Sequence, residues 1–159
     1  MSINKDFEDL LHHLNSARAE YMVVGAYAVI FHTEPRYTKD LDIWIRPERE
    51  NAEKVYEALK RFGAPLKGLS LNDLMNPKMV YQIGIEPNRI DILMGVGKLP
   101  FDKAWEKRVT DHYGKERIWV LGFEETIQTK KIAGRTKDKM DLEVLLKVAK
   151  RKKRRKLVE

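Results

Sequence analysis

The ten residues RYTKDLDIWI, 36–45, read as a strand from Asp40 onward, and they set two carboxylates on one of its faces. Successive side chains in a strand alternate between faces. Asp40, Asp42 and Trp44 therefore share one face, while Leu41, Ile43 and Ile45 share the other and pack inward. Two carboxylates on one face repel each other, so something must offset that repulsion. Further along, RIDIL at 89–93 repeats the arrangement, with Asp91 between Ile90 and Ile92. If the two segments are neighbouring strands, three carboxylates gather at one place on a sheet. A divalent cation resolves the repulsion, because Mg²⁺ takes oxygen ligands and is commonly held by carboxylates together with substrate phosphates. Two such ions about 3.5–4 Å apart, bridged by a shared aspartate, hold the attacking and leaving oxygens of a phosphoryl displacement.

Working outward, the chain alternates strand and helix patterns. Phe7, Leu10, Leu11 and Leu14 mark an amphipathic helix over 4–18. YMVVG at 21–25 is a short apolar strand ended by Gly25, and AYAVIFH at 26–32 begins a helix behind it. RENAEKVYEALKRFG at 49–63 is helical, with Gly63 as its stop. MVYQIGI at 79–85 and RIDILMG at 89–95 read as two strands joined by a turn at EPN, a hairpin signal. FDKAWEKRV is a short helix, RIWVL at 117–121 a strand, and FEETIQTKKIAGR and KDKMDLEVLLKVAKRKK two closing helices. The expectation is an α/β (α+β) fold, a mixed central sheet flanked by helices, with at least one antiparallel strand pair.

Length and composition narrow the function classes. A chain of 159 residues predicts one domain, divided into a body of 1–148 and a basic tail of 149–159. It has no cysteine, which excludes a disulfide framework and a thiolate metal site. No run approaches the roughly 18 apolar residues of a membrane span, and the N-terminus lacks the apolar core of a signal peptide. A cytoplasmic location without a membrane partner is expected. The net charge is +7, but KRKKRRKLVE at the end carries +6 of it, leaving a nearly neutral body. Such a run is either a solvated helix end or arm, or a contact for a nucleic-acid backbone.

Phosphoryl chemistry also needs a phosphate cradle. Gly25 ends a strand, lies fifteen residues before Asp40, and precedes a helix whose N–H groups and dipole point at whatever stands in front. Taken together, VVGAYAVIFHTEPRYTKDLDIWI and the later RIDIL resemble the nucleotidyltransferase superfamily of DNA polymerase β. Within it, the likeness is to the small single-domain group related to minimal nucleotidyltransferases and AbiEii-type toxins. That pattern is a glycine-led turn, an Arg-x-Thr-x-Asp-hydrophobic-Asp strand and a third aspartate, here Gly25, Arg36, Thr38, Asp40, Asp42 and Asp91. KKIAGRTKDKMDL resembles the group's distal segment through Lys130, Arg135, Asp138 and Asp141. Where the family has Gly-Gly or Gly-Ser at the turn, this chain has Gly25-Ala26.

The resemblance implies a palm-like sheet with C-terminal helices and a Mg²⁺-dependent transfer of a nucleoside monophosphate from a nucleoside triphosphate such as ATP, with release of pyrophosphate. It implies that Asp40 and Asp42 bind two Mg²⁺ ions, for which Mn²⁺ can substitute, and that Asp91 completes the catalytic metal site and helps deprotonate the acceptor hydroxyl. Gly25 and Ala26 would form the phosphate turn. Arg36 and Thr38 either line the pocket or, for Arg36, pair with an aspartate. Lys130 and Arg135 either face the phosphates or are surface charges on an exposed helix, and Asp138 and Asp141 brace them. The acceptor is RNA, towards which the basic tail leans, a protein hydroxyl or a small molecule. Two alternatives stand beside this reading: a non-catalytic nucleotide- or RNA-binding module, and the toxin of a toxin–antitoxin pair with an antitoxin partner. His12, His13, His32 and His112 lack metal-ligand spacing and are read as structural or exposed.

Overall fold

The computed structural model describes residues 3–34, 38–84 and 88–158. Arg36 and most of the EPN turn lie outside the described residues. The elements run α1 Lys5–Ser16, β1 Tyr21–Val24, α2 Gly25–His32, β2 Leu41–Ile45, α3 Arg49–Phe62, a 3₁₀ turn Asp73–Met75, β3 Val80–Ile83 and β4 Ile90–Leu93. They continue as α4 Phe101–Glu106, β5 Val109–Tyr113, β6 Glu116–Val120, α5 Phe123–Ala133 and α6 Thr136–Val158. The six strands form one mixed sheet in the order β3-β4-β2-β1-β6-β5. The β2–β4 and β1–β6 pairs are parallel and the other three antiparallel, including the expected β3–β4 pair.

One side of the sheet is closed by α1 and α3, which also pack on each other. Phe7, Leu10, Leu11 and Leu14 of α1 and Ala52, Val55, Ala58 and Leu59 of α3 are all fully buried. Each large apolar side chain removed from water in this way contributes roughly 1.5–3 kcal/mol. The start of α1 is fixed by Asn4, whose side-chain oxygen accepts the N–H groups of Asp6 and Phe7 at 2.9 and 3.2 Å. The C-terminal helices join through a smaller apolar cluster in which Val29 of α2 meets Ile127 of α5 and Leu145 of α6. The basic run at the chain end continues α6, where residues 151–157 are exposed.

Two details differ from the sequence expectation. Trp44 does not stand on an open face; it is 1 % exposed and lies under Phe101 of α4, the ring centroids 5.2 Å apart and nearly perpendicular. Both faces of β2 are therefore covered, and only its Asp-bearing end meets solvent. Strand β5 was not anticipated. It is an edge strand whose outward residues Thr110 and His112 are exposed, so VTDHY carries too little apolar alternation to stand out.

A single buried amide holds the entry and exit of the central hairpin together. Asn51 in the first turn of α3 is 5 % exposed. Its Oδ1 accepts the Glu20 N–H at 2.7 Å, and its Nδ2 donates to the Glu20 and Arg46 carbonyls at 2.9 and 3.0 Å. Asn51→Ala removes the partner of the Glu20 N–H and of the Arg46 carbonyl, while the Glu20 carbonyl keeps the Arg46 N–H, and the expected loss is about 2–4 kcal/mol. Urea denaturation of the variant measures it; an unchanged midpoint would show that water replaces the clamp without cost.

Candidate active site

The parallel pairing of β2 with β4 places Asp42 directly opposite Asp91. Neighbouring strands lie about 4.8 Å apart, so the two carboxylates stand side by side on one face. Asp91 is 8 % exposed. Asp40 sits one residue before β2, and its Oδ1 is buried with no hydrogen-bond partner among the described residues. A buried carboxylate oxygen left in this state is costly unless something meets it.

Gly25 begins α2 beside them in the left-handed region, with φ +68°. A Cβ at this position would collide with Asp42 Oδ2. Glycine is thus required twice over, by conformation and by the approach of a carboxylate to the backbone. Asp42 lies against the start of a helix, where the first N–H groups have no partner within the helix. Ala26 follows as a buried first-turn residue, and Thr38, half-buried, lies three residues ahead of β2.

Burial pushes the Asp42 carboxyl up to about 6, and the negative charges of Asp91 and Asp40 add to the effect, while Lys130 and Lys137 oppose it. Arg89, which sequence reasoning passed over, supplies the local counter-charge. Its Nε donates to Asp91 Oδ1 at 2.9 Å and its Nη2 to Asp91 Oδ2 at 3.3 Å, while Nη2 also lies 3.7 Å from Asp40 Oδ2. The signal was present in RIDIL: Arg89 precedes Asp91 by the same two-residue step that sets Asp40 beside Asp42. Lys137 was missed as well, because it follows a helix break and its proximity to Asp42 is a tertiary fact.

Lys130 and Arg135 do not share one helix. Helix α5 ends at Ala133, Gly134 adopts φ +64°, and α6 starts at Thr136. Lys130 is 6 % exposed, and its ammonium lies 3.1 Å from Asp138 and 3.0 Å from Asp141, both 1 % exposed. Arg135 is largely exposed and donates through Nε to Asp138 Oδ2 at 2.7 Å. Burial alone would raise the Asp138 carboxyl, but the bonds from Arg135 and Lys130 outweigh it and hold the group at about 2. The two aspartates brace both cations, as expected, and Lys130 is a buried hub rather than a surface charge. Among the histidines, His32 is structural: its Nε2 lies 2.7 Å from the Leu121 carbonyl, and burial pushes its pKa down. His12 is exposed beside Glu116, with 3.3 Å between Nδ1 and Oε2.

Among the described residues, no group of three or more histidines and carboxylates is arranged to hold a metal ion, and Arg89 stands against Asp91 and Asp40. The donor set itself fits a hard cation. It offers carboxylate oxygens only, one of them buried and unpartnered, with a second carboxyl whose ionisation is suppressed by burial and by the neighbouring carboxylates.

No family model matches this sequence, and no curated protein matches it. Solved structures do. The lincosamide antibiotic adenylyltransferase LnuA, lincomycin-bound, aligns with a TM-score of 0.60 at 12 % identity, over 93 % of this chain and 99 % of its own. A putative nucleotidyltransferase from Thermotoga maritima gives 0.54 at 17 % identity, over 92 % of this chain and 96 % of its own. An antigenic nucleotidyltransferase-like protein from Paracoccidioides brasiliensis gives 0.55 at 14 %, over 92 % and 77 %. The chain has the nucleotidyltransferase fold, a mixed six-stranded sheet with flanking helices.

Two outcomes follow from the charges. The raised Asp42 carboxyl titrates above the 3.8 of an unfolded carboxylate, so the native state retains a proton that the unfolded chain releases. Stability therefore falls as pH rises from about 4 to about 6 and stays lower above that window. In EDTA, Asp42→Asn is expected to match the wild type near pH 4 and to be more stable at neutral pH, by on the order of 1–3 kcal/mol. A lower melting temperature for the variant at neutral pH would show the carboxylate to be structural. Lys130→Met removes the buried cation shared by Asp138 and Asp141, leaving Asp138 to Arg135, and is expected to cost about 3–5 kcal/mol. Adding Asp141→Asn should recover part of that loss in the same denaturation assay, and a double variant no better than the single one would argue against the ion pair.

Proposed function

We propose that this chain is a Mg²⁺-dependent nucleotidyltransferase, moving a nucleoside monophosphate from a nucleoside triphosphate to a hydroxyl acceptor and releasing pyrophosphate. The observation that carries the reading is the in-register Asp42–Asp91 pair beside the glycine-led start of α2. The nucleotidyltransferase fold of the solved neighbours supports it. Asp40, Asp42 and Asp91 would hold Mg²⁺, which would supply positive charge to the phosphate oxygens.

The chain's own residues do the rest in this reading. The first-turn N–H groups of α2, from Ala26 onward, donate to the triphosphate, an anion at a helix N-terminus. Gly25 keeps that turn free of a side chain where Asp42 approaches. Asp91 takes the proton of the acceptor hydroxyl. Arg89 leaves the carboxylates as the substrate complex assembles and becomes available to a phosphate oxygen. Lys130, braced by Asp138 and Asp141, keeps a fixed positive charge near Asp42 instead of binding phosphate itself.

The same Arg89 contacts favour a second reading, a nucleotide-binding module in which the guanidinium permanently takes the cation's place. One experiment separates the two. The protein is incubated with α-labelled nucleoside triphosphates, Mg²⁺ and fractionated cell extract containing RNA, proteins and small molecules. Label transfer by the wild type and its loss, by at least about a hundredfold, in Asp42→Asn is the expected result. Triphosphate binding without label transfer or pyrophosphate release would establish the binding module instead.

A further inference from the structure

The proposed reaction leaves its acceptor unnamed, and a cavity lined by residues of α4, α5 and the segment after β4 includes none of the three carboxylates. It measures about 960 Å³, within the range of small-molecule sites, and opens between α4 and the C-terminal half of α5. Val96, Leu99 and Pro100, in the segment that follows β4, and Ile132 of α5 give its apolar lining. Ile132 is 68 % exposed, while Ile127, one and a half turns earlier on the same helix, is buried in the core. Lys98, Lys103, Lys107 and Lys131 also line it, together with Glu106 and Glu125.

Both walls are tied to the carboxylate face. Helix α4 rests through Phe101 on Trp44, which shares a face of β2 with Asp42. Helix α5 carries Lys130, the cation that acts on Asp42, between the cavity residues Thr129 and Lys131. The segment holding Val96 and Leu99 is the continuation of β4, which carries Asp91.

We propose that the cavity between α4 and α5 is the acceptor subsite, and that it takes a small molecule with an apolar body and an anionic group. This rests on the nucleotidyl-transfer reading. The apolar lining residues and the exposed Ile132 ask for an apolar body, since exposed concave apolar surface marks a ligand site. Four lysines against two glutamates ask for negative charge on the ligand. The interspersed glutamates disfavour a nucleic-acid backbone, which is met by surfaces of one sign. Concave walls of this size also suit a small molecule better than a second copy, which needs about 800 Å² of interface from each partner. In the reaction, the acceptor's hydroxyl oxygen bonds to the α-phosphorus and the bond to the bridging oxygen breaks. Pyrophosphate leaves with that electron pair, and the hydroxyl proton passes to Asp91.

Two probes of one shape and opposite charge test the ligand class on the full chain: 2-naphthalenesulfonate and 2-naphthylmethylammonium, titrated by calorimetry. The sulfonate is expected to bind at least about tenfold more tightly. Ile132→Asp, at an exposed position that leaves the fold intact, should abolish binding of the sulfonate, and Lys103→Glu with Lys131→Glu should erase the preference for it. With the labelled acceptor fraction in hand, Ile132→Asp should raise the acceptor KM about tenfold or more while triphosphate binding stays unchanged. Equal binding of both probes, or binding indifferent to Ile132→Asp, overturns the ligand class. Transfer to RNA or to a protein that Ile132→Asp leaves unaltered overturns the acceptor role alone and leaves nucleotidyl transfer standing. Absence of transfer to any acceptor overturns the transfer reading itself, and the acceptor role with it.

Discussion

Everything at this site follows from one constraint: two carboxylates in register on adjacent parallel strands, close together and out of bulk water. Such a pair is held only where the surroundings force it. Here the force comes from below, through Leu41, Ile43, Ile90 and Ile92, whose burial fixes the register of β2 and β4. A one-residue slip of either strand would turn its own pair of apolar side chains to the other face of the sheet, so the aspartates have no escape. The repulsion is then met from above by Arg89, and at longer range by Lys130 and Lys137. Packing sets the geometry, and electrostatics shows what the geometry lacks.

That division of labour explains which residues sit where. Gly25 belongs to the packing side, because it lets the backbone of α2 press against Asp42. Lys130 belongs to the electrostatic side, yet it is held by a buried pair of aspartates on the next helix. The α5–α6 pair therefore does more than cover the sheet: it carries a fixed cation to the site and anchors it through Asp138 and Asp141. Arg135, on the outside of the same cluster, completes the charge balance of Asp138.

Much of this was legible in the chain. Alternation in DLDIWI and RIDIL placed the carboxylates on a shared face, and helical spacing in α1 and α3 marked the residues that bury the opposite face. Three things were not legible, each for a physical reason. Strand β5 hides because an edge strand with one face in water needs few apolar residues. The burial of Trp44 depends on α4 folding back over it from beyond position 100. The state of Lys130 depends on a helix break at Gly134 that turns α6 back along α5. Local pattern reports which face a residue takes, whereas what covers that face is decided elsewhere in the chain.

The parallel pairing of β2 with β4 carries a kinetic consequence. Asp42 and Asp91 lie about fifty residues apart in sequence and meet only when β4 pairs with β2. Non-local parallel pairing is slow to form, since loop closure is paid for before contacts reward it. While a chain is still being assembled, its aspartates are separate, hydrated and chemically inert. The carboxylate cluster comes into being with the central strand pair, so a partly folded copy carries no concentrated negative charge at this place.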